Sequence, residues 1–258
     1  MVRACSSAYA RRAAAWTSRR AYAAAIFDYT EAISRSPTNT GYLLGRAAAY
    51  LGSRQSPLAL ADYDQVLRLD PSDVATLILR AQLRLSGNDK PSAVADLDAA
   101  GRLAAKDSDL RLDIADLYER ADRRTAAIAQ FDLWIAANPR SPRMASTLNG
   151  RCWQRAVLGL DLDKAMADCD AALALVPNNG HVLDSRGLVH LGLGQFGKAV
   201  ADYDAALKQN RDSAWSLYGR GIARLRTGLG ESGKADIAAA TALRPGLPAE
   251  AARFGIAP

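Results

Sequence analysis

The chain repeats itself, and this constrains its fold more than any other feature. AIFDYTEAI (25–33), ALADYDQVL (59–67) and AVADYDAAL (199–207) are near copies of one another. AVADLDAAG (93–101), AIAQFDLWI (127–135), AMADCDAAL (165–173) and ADIAAATAL (235–243) are weaker copies. Their first alanines are separated by 34, 34, 34, 38, 34 and 36 residues. A period of this size marks a stack of small supersecondary units, none of which can bury its apolar face alone. At 258 residues the chain is near the size where a single core stops growing, yet it holds about 7.6 such periods.

A second motif precedes each copy: Arg12-Ala13, Arg46-Ala47, Arg80-Ala81, Ile114-Ala115, Asn149-Gly150, Arg186-Gly187 and Arg220-Gly221. Three residues beyond the small residue stands Trp16, Tyr50, Arg84, Tyr118, Trp153, His190 or Arg224. Pro37, Pro71, Pro139, Pro177 and Pro245 follow the second motif, with Ala105 and Arg211 at the matching places elsewhere. Each unit reads as two amphipathic helices. Leu43, Ala47 and Tyr50 form one stripe at helical spacing, and Ala59, Tyr63 and Val66 form another. Gly52 to Pro57 breaks the chain between them, and Pro57 suits the first turn of the second helix. Two helices approach closely only where small residues meet, so one small position falls on each.

This pattern resembles the tetratricopeptide repeat family, in its bacterial form. Units of 34 residues counted from Ser6, Thr40, Val74, Ser108, Arg143, Gly180 and Ala214 place a small residue eighth, an aromatic eleventh, Ala twentieth, an aromatic twenty-fourth and Pro thirty-second. Units 1 and 2 keep all of these marks, unit 6 most of them, and the others fewer. The resemblance implies an all-α fold: a right-handed superhelical solenoid of about seven helix-turn-helix repeats. These are expected at 6–39, 40–73, 74–107, 108–142, 143–179, 180–213 and 214–247, within one domain spanning 1–258. A short capping helix is expected at 248–258, with Phe254 and Ile256 covering the end of the stack. The 38-residue interval predicts about three extra residues in the inter-helix loop of unit 5, near Leu160-Asp161-Leu162. Unit 7 is expected to carry an extra Gly-rich turn at Thr227–Gly230.

The pairs Asp62/Asp64, Asp96/Asp98, Asp168/Asp170 and Asp202/Asp204 look like paired carboxylates. Residues two apart on a helix do not share a face, and a catalytic dyad would be single. The repeated arginine has a matching phase, so each Asp is expected to pair with the Arg of a neighbouring first helix, for example Asp62 with Arg80. Cys5, Cys152 and Cys169 are odd in number and lack CxxC spacing, which argues against a disulfide framework or a zinc site. Cys152 and Cys169 read as small buried hydrophobes. His181 and His190 read as one exposed and one packed histidine.

The net charge of +6 and pI near 9.4 invite a nucleic-acid reading. Residues 1–27 carry Arg3, Arg11, Arg12, Arg19 and Arg20 and no acid, so the other 231 residues together hold only +1. The basic character is local, and nucleic acid is a weak expectation. No stretch approaches the roughly 18 apolar residues of a membrane helix. The N-terminal stretch lacks the apolar core of a secretory signal. Its composition superficially matches a transit peptide, but the same residues fit the first repeat. The default location is cytoplasmic, with export left open for a mature or truncated form.

The resemblance also implies a concave groove lined by the first helices, at positions 2, 5, 6, 9, 12 and 13 of each unit. These positions give Leu44, Ala48, Leu51, Ile78, Gln82 and Leu85 in units 2 and 3, and Asp109, Leu112, Asp113, Asp116 and Glu119 in unit 4. Unit 5 gives Met144, Thr147, Arg151 and Arg155; unit 6 gives Asp184, Leu188 and Leu191; unit 7 gives Trp215, Tyr218, Ile222 and Leu225. The four acids of unit 4 share one helix face, which reads as a solvated face partly neutralised by Arg151 and Arg155, or as the charged middle of a groove for a basic peptide with apolar anchors. The expected function is a non-catalytic protein-interaction scaffold, binding a peptide or partner helix and needing no cofactor or metal. Two alternatives stay open: a regulatory subunit or groove-based enzyme, and a nucleic-acid-binding helical repeat. The first repeat has no cap before it, so self-association through that end is also expected.

Overall fold

The computed structural model describes residues 2–258, with side chains from Ser6 onward, so the side chains of Arg3 and Cys5 lie outside the described residues. Among the described residues every regular element is helical. The first helices of the seven repeats are α1 (Val2–Ser18), α3 (Thr40–Gly52), α5 (Val74–Ser86), α7 (Leu110–Arg120), α9 (Met144–Leu158), α11 (Gly180–Gly192) and α13 (Ala214–Arg226). The second helices are α2 (Tyr22–Arg35), α4 (Ser56–Leu69), α6 (Lys90–Leu103), α8 (Arg124–Ala137), α10 (Leu162–Leu175), α12 (Phe196–Gln209) and α14 (Gly230–Leu243). A short α15 (Leu247–Ala252) follows, as expected.

The helix boundaries have local causes. Asp73, Asp89, Asn179 and Ser213 accept hydrogen bonds from backbone N–H groups of the first turns of α5, α6, α11 and α13. Pro57, Pro91 and Pro248 occupy the first turns of α4, α6 and α15, where no N–H is needed. The turn after each first helix needs a left-handed residue. Gly194 and Gly228 supply it without strain, while Arg54 and Asn88 adopt the same conformation in repeats 2 and 3.

The chain forms two compact units, one up to Asp122 and one from Arg123 onward. The boundary falls between α7 and α8. In each unit an arginine ladder ties first helices to second helices. Arg12, Arg46 and Arg80 grip Asp28, Asp62 and Asp96 with paired N–H···O bonds of 2.6–3.0 Å. Arg151, Arg186 and Arg220 grip Asp168, Asp202 and Asp236 in the same way at 2.5–2.8 Å. All six aspartates are buried. The hydrogen bond from Arg12 holds the Asp28 carboxyl below its ordinary pKa.

The remaining N–H donors reach back one repeat. Arg80 Nη1 donates to Asp64, Arg186 Nη1 to Asp170, and Arg220 Nη1 to Asp204. The expected pairing of Asp62 with Arg80 is therefore corrected. Asp62 serves the arginine of its own repeat, and Asp64, two residues on and on another face, serves Arg80. The two carboxylates of each pair do separate jobs, intra-repeat and inter-repeat, because they point in different directions from one helix. In repeat 4 the two ladder places hold Ile114 and Gln130, both buried. There Tyr118 reaches back instead, its hydroxyl donating to Asp98 at 2.6 Å.

The ladder also fixes two registers that the sequence left ambiguous. In repeat 5 the ladder arginine is Arg151 and not the residue at Asn149, so the repeat runs two residues later than expected. Arg155 then matches Arg84 and Arg224: each donates from Nη1 to its ladder aspartate. Of the four extra residues in the 38-residue interval, three precede Arg151 and one follows it. The loop from Gly159 to Asp161 is no longer than the others, and α9 has 15 residues against 13 in α11. In repeat 7 Asp236 is the ladder aspartate, so Gly233, not Ala235, opens the second-helix copy, and the interval is 34. The expected extra Gly-rich turn is absent; residues 227–229 form an ordinary three-residue connection.

Cys152 and Cys169 form a disulfide, with Cα atoms 5.8 Å apart. This overturns the expectation of two separate buried thiols. With repeat 5 in its true register, Cys152 holds the small-residue place and Cys169 the place of Tyr63 and Tyr203. In repeat 2 those two places, Ala47 and Tyr63, pack in one cluster. Cysteines at two places that touch are within bonding distance, although the sequence separates them by 17 residues. The histidines behave as expected: His181 is exposed, and His190 is buried with Nδ1 2.8 Å from Gln195 Oε1.

Candidate functional site

In the first unit the groove positions are open. Ala48, Leu51, Gln82, Asp109, Asp113 and Asp116 are exposed, while Leu44, Leu85, Leu112 and Glu119 are half-buried and Ile78 is buried. Between α5 and α7, Ile78, Gln82, Asp113 and Asp116 of this set help to bound a cleft of about 470 Å³. Ile78, Leu79, Leu110 and Leu117 give it apolar walls, Asp113 and Asp116 an acidic side, and Gln82 and Arg120 complete the rim. The acids of α7 and the aliphatic residues of α5 thus face one space. In the second unit the guanidinium groups of Arg151 and Arg155 are engaged with Asp168 and Asp132.

The second unit is different. The ninth position of repeat 5 is Trp153, whose ring meets that of Trp215 edge-on at 5.4 Å. Leu188, Tyr218 and Ile222 are buried, and Leu191, Trp215 and Leu225 are half-buried. Most of these belong to one apolar cluster with Leu247, Ala251 and Ile256, against which Trp153, Leu191, Trp215 and Phe254 pack. Met144, Thr147, Arg151 and Arg155 do not line a groove. Thr147 is buried and bonds its hydroxyl to the Arg143 carbonyl, and the arginines serve the ladder. The two-residue register error explains all four.

Asp184 of α11 accepts a hydrogen bond from the Ser216 hydroxyl of α13. Burial pushes its carboxyl up to about 6, against the opposing pull of that bond. The buried Tyr203 phenol is pushed up as well, first by desolvation and then by the charge of Asp184. Two further residues of this face, Arg124 and Gln154, were not anticipated from the sequence. Arg124, at the start of α8, donates to Gln154 Oε1 at 2.7 Å, and its guanidinium lies 4.7 Å from the Phe254 ring. Phe254 thus reaches well beyond the last repeat it was expected to cover. Nothing in the local sequence pairs residues 124 and 254.

Among the described residues no group of three or more His, Cys, Asp or Glu side chains is placed to hold a metal ion. Among the described residues no helix is long and apolar enough to cross a membrane.

Consecutive helix pairs, crossing at small residues and tied by a repeated Arg–Asp ladder, define a helical-repeat solenoid, a class of protein-interaction scaffold. A family model described as tetratricopeptide repeat matches residues 42–108 and 185–248, and the chain belongs to that family. Among solved structures it is similar to a tetratricopeptide repeat protein from Parabacteroides merdae, at 16% identity and a TM-score of 0.67, over 97% of this chain and 98% of that one. It is also similar to YrrB, described as a TPR protein with an unusual peptide-binding site, at 18% identity and a TM-score of 0.60, over 74% of this chain and 97% of that one. PilW, a type IV pilus biogenesis factor, shares 18% identity and a TM-score of 0.61, over 80% and 94%. These likenesses show the fold. No curated protein matches the chain.

Proposed function

We propose that the chain is a non-catalytic scaffold, one domain of seven repeats, whose first unit binds a basic peptide with apolar anchors in the cleft between α5 and α7. The observation that carries this reading is the juxtaposition of Asp113 and Asp116 with Ile78, Leu79 and Leu117 around one cleft. An apolar side chain of the peptide would enter between the aliphatic walls, and a neighbouring Lys or Arg would face the carboxylates. A random peptide library selected on the purified chain tests it. The expected enrichment is for Lys or Arg within three residues of an apolar side chain, lost in the D113K/D116K variant. Enrichment of acidic peptides, or binding unchanged in that variant, would count against the reading.

Location and self-association belong to the same proposal. Disulfides persist in oxidising compartments and are rare where thiols are kept reduced. The Cys152–Cys169 bridge therefore favours an exported protein over the cytoplasmic location expected from the sequence. Self-association through the first repeat predicts concentration-dependent sedimentation.

A further inference from the structure

The concave face of the second unit already has an occupant. Residues 247–256 run back from the end of α14, with Leu247 and Ala251 fully buried and Ile256 7% exposed. Ile256 belongs to the same apolar cluster as Leu188 and Ile222, which hold the ninth position of α11 and α13. The corresponding Ala48, Gln82 and Asp116 of the first unit are exposed. Phe254 is anchored at the opposite end of the unit by the Arg124 guanidinium, itself held by Gln154. The segment thus reaches from the last repeat to the helix at which the unit starts.

Two parts of the segment differ in how they are held. Leu247 and Ala251 seal the last repeat, and the Arg244–Glu250 ion pair at 2.5 Å fixes the start of α15. Beyond α15 only two side chains are inserted. Arg253, Gly255, Ala257 and Pro258 are exposed, and Phe254 and Ile256 alternate with them. Gly255 has a left-handed backbone, which turns the chain between the two anchors. Alternate side chains are anchored, while the N–H groups of Phe254, Gly255 and Ile256 bond back to the carbonyls of Ala251 and Ala252 and close α15.

We propose that this face is a second peptide site, closed in cis by residues 253–258. The site takes from a partner a segment of the same chemistry, an aromatic side chain and a branched aliphatic two residues apart, with the aromatic ring against Arg124. It is separate from the α5–α7 cleft and recognises apolar rather than basic anchors, so its test does not depend on that reading.

The test uses the chain's own segment as the probe. A fluorescein-labelled peptide of residues 249–258 is titrated by anisotropy against the full chain and against a chain ending at Ala252, which keeps Leu247 and Ala251. The truncated chain is expected to bind at least tenfold more tightly than the full chain, and a peptide carrying F254A and I256A is expected not to bind. If the truncated chain does not fold, the full-length I256D variant, whose segment is expelled by its buried charge, replaces it. Equal binding to open and closed forms, or no binding to any folded open form, overturns the proposal. A full-length dimer that exchanges the segment between copies would also overturn it, by making a second copy the occupant.

Discussion

The two units are built from one repeat and differ in what that repeat does with its inner face. At the ninth place of their first helices the first unit shows Ala48, Gln82 and Asp116 exposed, and the second hides Leu188 and Ile222 behind Trp153, Trp215 and the segment ending the chain. The same helical phase leaves one face open beside carboxylates and fills the other with aromatic and branched side chains. Phase decides which side chains point inward. Side-chain volume, and what the chain does after its last repeat, decide whether anything else fits there.

The difference can be broken first at the ladder. Asp62 is buried and relies on Arg46, whereas Asp96 and Asp236 each have a second arginine, Arg84 and Arg224. Arg46→Ala strands the Asp62 carboxylate and should destabilise the first unit by about 3–5 kcal/mol in urea unfolding, more than Arg80→Ala or Arg220→Ala. Repeat 4 offers the remedy, since Ile114 and Gln130 fill the same two places without charge. The double variant R46I/D62Q should recover most of the loss, and failure to do so would mean that the ladder is irreplaceable in its own repeat.

Reduction should separate the units next. The Cys152–Cys169 bridge closes a loop of 17 residues in the second unit only. Its removal in C152A/C169A should cost on the order of 3 kcal/mol there. Tryptophan fluorescence, dominated in that unit by Trp134, Trp153 and Trp215, should report an earlier transition than a probe at Trp16 of the first unit. Coincident, unshifted transitions would contradict this.

Proton linkage sharpens the contrast further. Desolvation pushes the folded Asp184 carboxyl up to about 6, above the ordinary carboxylate range, so the folded second unit binds the proton more tightly than the unfolded chain. Stability from this group is full below about pH 4 and falls as pH rises through about 6. Asp184→Asn keeps an acceptor for Ser216 and should gain about 2 kcal/mol at pH 8, flattening the dependence between pH 4 and 6. The smallest expected change is in stability of D113K/D116K, within about 0.5 kcal/mol, because both acids are exposed on the open cleft. The same variant should abolish selection of basic peptides.

Much of this was legible in the residues. The 34-residue period, the helix pair and the small crossing positions follow from spacing alone. The Arg and Asp types at matching phase announced a ladder, although which of Asp62 and Asp64 served which arginine required knowing where each points from α4. The acidic face of α7 was readable too, since Asp113 and Asp116 lie one turn apart. The register of repeat 5 was not. Extra residues can enter a turn or lengthen a helix, and the local sequence around Asn149-Gly150 suits either. Only the bonds from Arg151 and Arg155 to Asp168 fix the phase, and with it the contact of Cys152 with Cys169.

The sequence by itself determined a helical-repeat solenoid and the side chains each helix offers to its neighbours, because those depend on periodicity within a few turns. The tertiary structure decided the disulfide, the contact of Asp184 with Ser216 and the closure of the second unit's face by Phe254 and Ile256. Each depends on residues from separate helices meeting in space. A pattern read along one helix carries no information about a side chain arriving from 130 residues away.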